Sequence, residues 1–97
     1  MSFKELKLHD ATLKVIEINW EFKTVLLTGR TCGKDSAEFT LEFEGVSYSE
    51  IPHTENWGPS SSIHEQSSPK DGEYHVLMQS GDTILIKAKS YEYEKTI

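Results

Sequence analysis

The chain has a single cysteine and three prolines, and no run of apolar residues approaches the length of a membrane span. A lone Cys32 excludes an intrachain disulfide and a cysteine-based zinc site. From Met1 to Trp20, charged or polar side chains interrupt at Lys4, Glu5, Lys7, His9, Asp10, Lys14 and Glu17, so no signal-peptide core is present there. With no disulfide and no visible export route, the expected location is cytoplasmic, without membrane contact. Catalytic signatures are missing as well. Ser60-Ser61-Ser62 lacks the glycines of a nucleophile elbow, and no phosphate- or dinucleotide-binding glycine pattern occurs. Nothing near Cys32 marks an activated thiol. His53, Glu55, His64 and Glu65 lack the His-Glu spacing on a helix that makes a metal motif specific. The expectation is a protein that is not an enzyme and carries no cofactor and no metal.

Helical periodicity is also lacking, since no 3.6-residue apolar repeat persists for three turns. What replaces it is a period of two. In Ala37-Glu38-Phe39-Thr40-Leu41-Glu42-Phe43-Glu44 every odd position is apolar and every even one polar, as a half-buried antiparallel strand requires. Gly45 shifts the phase, so a bulge or bend is expected before Val46 and Tyr48. Thr12 to Trp20 and Val25 to Cys32 read as a hairpin with a loop over residues 21–24, which sets Trp20 opposite Val25 and Ile18 opposite Leu27. Gly29, Gly33 and Lys34-Asp35-Ser36 read as the next turn. Glu73 to Met78 and Asp82 to Lys89 form a second hairpin. A Gln79-Ser80-Gly81 loop places Val76 opposite Ile84 and Tyr74 opposite Ile86. Ser90 to Glu94 still alternates and reads as an extension of that last strand, while Ser67 to Gly72 reads as punctuation.

Leu, Ile, Val and Phe number 8, 7, 4 and 4, enough apolar mass for one core. The expected fold is a single all-β domain over residues 1–97. It has about six mainly antiparallel strands in a small sandwich or partly open barrel. Ser2-Phe3-Lys4-Glu5 has capping-box spacing and predicts one short N-terminal helical turn.

Charge is unevenly spread. Residues 35–68 contain Asp35, Glu38, Glu42, Glu44, Glu50, Glu55 and Glu65 and no lysine or arginine, against a net charge of −6 for the whole chain. Such a balance disfavours nucleic acid and anionic membranes. Alternation sets Glu38, Glu42 and Glu44 on one strand face, where they are either shielded by Lys87 or Lys89 or turned toward a basic partner. Ile51 to His64 carries two prolines, one glycine and several hydroxyls, and is expected to be a long irregular loop. Its Trp57 either plugs one end of the core or anchors a ligand or partner. His75, inside a strand, reads as a half-buried structural residue.

Leu8-His9-Asp10-Ala11-Thr12-Leu13, Ile18-Asn19-Trp20, Phe43-Glu44-Gly45-Val46, Trp57-Gly58-Pro59-Ser60 and Met78-Gln79-Ser80-Gly81-Asp82 together resemble a family of small bacterial proteins of largely uncharacterised function. More loosely, the chain resembles the immunity proteins found beside bacterial toxins. That resemblance implies a bacterial, cytoplasmic, single-domain β protein and assigns no residue a role. The first expectation is therefore an acidic protein-interaction module, of the immunity-inhibitor kind, for a basic protein partner. Its contacts are Glu38, Glu42, Glu44, Glu55 and Trp57. The alternative is a small-ligand-binding barrel using Tyr48, His53, Trp57 and His64, and a homodimer through an exposed edge strand is compatible with either.

Overall fold

The period-two pattern becomes eight strands in a computed structural model that describes residues 2–96. They are β1 (Thr12–Asn19), β2 (Thr24–Arg30), β3 (Glu38–Glu44), β4 (Tyr48–Glu50), β5 (Ile63–Lys70), β6 (Glu73–Met78), β7 (Thr83–Lys87) and β8 (Ser90–Lys95). All pairings are antiparallel, in two four-stranded sheets of order β1-β2-β3-β8 and β4-β7-β6-β5. The domain is thus a sandwich, not a closed barrel.

Alternation decides what enters the core. Val25, Leu27, Phe39, Leu41 and Phe43 of the first sheet share one buried cluster with Tyr74, Val76, Met78, Ile84 and Ile86 of the second. The N-terminal segment seals one end with Phe3, Leu6 and Leu8. Phe3–Glu5 is the expected helical turn, a 3-10 turn in which the Ser2 backbone N–H and hydroxyl both donate to Glu5 Oε1. Buried Gln66 on β5 holds that segment in place, its amide donating to the carbonyls of Phe3, Lys4 and Leu6.

The second hairpin has the expected register, with Val76 opposite Ile84, Tyr74 opposite Ile86, and Gly81 at φ +95. The first hairpin differs by two residues: Ile18 pairs with Val25, and the loop covers residues 20–23. Asn19 Oδ1 accepts from the Phe22 N–H and Lys23 takes a positive φ of 56, so a side-chain-capped turn closes without glycine. Because the shift is two residues, the side chains of residues 15–18 keep their faces, while a bulge at Lys14 brings Leu13 to the face of Ile16 and Ile18. Gly29 lies inside β2 and not in a turn: a Cβ there would stand 2.1 Å from the Thr12 carbonyl oxygen.

Two expectations on strands are corrected. Ile63–Lys70 is a strand despite its serines and proline, because its bulged pairing with β6 tolerates them at the sheet edge. Ser90–Lys95 does not extend β7. The chain crosses at Ala88 and Lys89, whose N–H groups donate to the Gly72 and Glu44 carbonyls, and β8 joins the first sheet beside β3. Gly45, at φ +66, makes the opposite crossing from β3 to β4.

Candidate functional site

Cross-strand registers place the charges. On the outer face of the first sheet, Glu17 of β1, Leu26 of β2, Glu42 of β3 and Glu92 of β8 form one continuous row. A second row runs through Asn19, Thr24, Glu44 and Ser90, and a third through Val15, Thr28, Thr40 and Glu94. Neighbours in such rows are about 5 Å apart. The carboxylates of Glu42, Glu44 and Glu92 accordingly come within 4.8 Å of one another. Among the described residues none of these three forms an ion pair.

Neither Lys87 nor Lys89 forms an ion pair with these carboxylates. Lys87 belongs to β7 in the other sheet, where its ammonium stands 5.4 Å from the centre of the Tyr48 ring. The strand beside β3 is β8, which adds two more carboxylates. Glu38 stands apart from the others, since Lys14 Nζ and Arg30 Nη1 each lie 3.2 Å from its Oε1. The three carboxylates are also the one group of three metal-ligating side chains among the described residues that converges closely enough to hold a cation.

Glu55 and Trp57 lie elsewhere, on the loop between β4 and β5. Asp82, itself buried, ties that loop down: its Oδ1 accepts from the Thr54 N–H and hydroxyl at 2.8 Å, and its Oδ2 from the Glu55 N–H at 3.0 Å and the Ser80 hydroxyl at 2.8 Å. Donation by the Thr54 N–H, with the other three donors, pulls the Asp82 carboxyl down to about 2. Trp57 plugs no end of the core. It is 69% exposed and lies against Gly81, where a Cβ would come within 2.9 Å of the indole.

The residues of the small-ligand alternative line separate places. Tyr48, its hydroxyl donating to Glu50, shares a cleft with Trp20, whereas His53 lines another cleft with Ile51 and Met78. His64 stands beside His9, whose Nδ1 donates to the His64 carbonyl at 2.6 Å. His75 is half-buried, as expected, with Nε2 at 2.9 Å from Glu73 Oε2, and this bond lowers the Glu73 carboxyl.

Sequence reading missed the apolar surface at β1. Of six exposed large apolar side chains, Ile18, Trp20 and Tyr48 line one cleft, Val15 lies on the outer face of β1 and Phe22 in its turn; Trp20 is 89% exposed and Phe22 71%. It missed Glu17, Glu92 and Glu94 as well, for their addition to the acidic face depends on which strands neighbour β3. Among the described residues no helix is long and apolar enough to cross a membrane. No family model, curated protein or solved structure matches the chain.

Proposed function

We propose that the chain is a non-enzymatic acidic interaction module that captures a basic protein, in the manner of an immunity-type inhibitor acting in the bacterial cytoplasm. The observation that carries this reading is the set of Glu42, Glu44 and Glu92 carboxylates within 4.8 Å of one another and without an ion pair. Holding like charges together on a solvated face opposes folding, so the arrangement has to be supported by something other than stability. A partner that lays lysines or arginines across the row would remove that repulsion on binding, and the field of the face would speed encounter. Glu38, already neutralised by Lys14 and Arg30, sets one margin of the surface. Glu55 and Trp57 offer a separate contact on the Asp82-tied loop.

The test is retention of basic proteins from bacterial lysate on the immobilised chain, compared with the triple variant Glu42→Gln, Glu44→Gln, Glu92→Gln. The expected result is one basic protein held at low salt by the wild type, released at high salt, and lost from the variant. Equal retention by the variant would remove the acidic face from the function.

A further inference from the structure

The sandwich is open along one side. β1 is the outermost strand of the first sheet, and facing it β4 is an edge strand of only three residues. The first part of β1 is closed off: the Leu13 N–H donates to the Ser61 carbonyl, Thr12 bridges to Ser62, and a bulge falls at Lys14. Beyond it, among the described residues, nothing pairs with the outer edge of residues 15–19. This stretch contains no proline, no lysine and no second bulge, and its one charged residue is Glu17.

Its two faces differ in chemistry. Ile16 and Ile18 share the inner face with Leu27 and Val25, their cross-strand partners, and look toward the gap between the sheets. Two clefts lie in that gap. One of about 300 Å³ is lined by Ile16, Ile51, Met78 and Ile84 together with the polar His53 and Ser61, and one of about 570 Å³ by Ile18, Trp20, Val46 and Tyr48. On the outer face Glu17 begins the row that runs through Leu26 to Glu42 and Glu92.

We infer that the free edge of β1 receives an extended strand from the partner, one that alternates apolar and basic residues. Its backbone pairs with residues 15–19. Its apolar side chains lie beside Ile16 and Ile18 and fill the two clefts, while a lysine or arginine faces Glu17 and extends the acidic row by one strand. A strand has side chains on alternating faces, so a single segment satisfies both surfaces at once. The charge assigned to this strand rests on the acidic-module reading; the edge and the clefts do not. A second copy of the chain fits less well. The outer-face residues of β1 beyond the bulge are Val15, Glu17 and Asn19, so antiparallel self-pairing sets no cation opposite Glu17.

The test uses the full chain and a synthetic nonapeptide of alternating lysine and valine. Controls are its glutamate-valine counterpart and lysine-valine versions N-methylated at alternate amides in either phase. Binding is followed by Trp20 fluorescence in a Trp57→Phe background, and edge pairing by amide hydrogen exchange. The expected result is exchange at residues 15–19 slowed by about tenfold or more on adding the lysine-valine peptide. One N-methylated phase and the glutamate peptide should bind at least about tenfold more weakly. Glu17→Lys should reverse the charge preference.

Peptide binding without slower exchange at β1, or undiminished binding of both N-methylated peptides, would overturn strand addition. A dimer by light scattering, with residues 15–19 protected in the absence of peptide, would assign the edge to a second copy instead. Loss of the basic protein from the Glu42, Glu44, Glu92 triple variant with no peptide pairing at β1 would leave the acidic module standing and the edge refuted. The opposite pattern would refute the module and retain the edge.

Discussion

Glu92→Gln tests the acidic face without needing a partner. Glu92 approaches Glu42 and Glu44 only when β8 docks on β3, so its repulsion from them arises on folding. Two unit charges at the 4.8 Å limit repel by about 0.9 kcal/mol in water. A Debye length of about 8 Å at physiological salt reduces this to about 0.5 kcal/mol. Neutralising Glu92 removes two such pairs, for a gain of about 1 kcal/mol, or a melting temperature higher by about 4–8 °C in a domain of this size. At 1 M salt, where the Debye length is about 3 Å, less than half of the gain should survive. Thermal melts of the wild type and the variant at both salt concentrations decide it. No gain at physiological salt, or the same gain at 1 M, would refute the claim that these carboxylates repel one another with no paired cation between them. A gain combined with lost partner capture would identify a face kept for binding against stability.

Other outcomes follow from the same geometry. The Asp82 carboxyl, lowered to about 2 by its four donors, contributes stability that is complete above about pH 4 and is lost as pH falls toward 2. Trp57 fluorescence in a Trp20→Phe background should report release of the loop across that window, and Asp82→Asn should abolish the transition there. Gly81→Ala would place a Cβ against the indole and impose a side chain on a φ of +95, so it should shift the same Trp57 signal at neutral pH and lower the melting temperature. Leu41→Ala, in the middle of the core with no exposed surface, should cost about 2–5 kcal/mol in denaturant unfolding. Gln66→Met would leave the buried Leu6 carbonyl without its donor, at about 1–3 kcal/mol, whereas the Phe3 carbonyl keeps the Leu6 N–H. Faster amide exchange confined to the N-terminal segment would show its effect as local.

Alternation along the chain determined a great deal. It set which side chains of Glu38–Glu44, Glu73–Met78 and Thr83–Lys87 face the core, because a strand's period of two leaves no freedom once one face is buried. It also determined the face on which Glu38, Glu42 and Glu44 lie together, and the positive φ of Gly81 in the second hairpin. Even the first hairpin, displaced by two residues, kept its faces beyond the bulge at Lys14. Tertiary structure alone decided which strands become neighbours. Ser90–Lys95 alternates equally well beside β7 or beside β3; crossing at Ala88 and Lys89 brought Glu92 and Glu94 to the acidic face and left Lys87 on the other sheet. Tertiary structure likewise paired Glu38 with Lys14 and Arg30 and tied the loop of Trp57 to Asp82. It also left β1 without a neighbour on its outer side, so that Ile18 and Trp20, apolar by sequence, stand exposed at the open side of the sandwich. The physical reason is common to all of these. Side-chain period is a local property of the backbone, whereas strand order follows from burying two apolar sheet faces against each other across the whole chain.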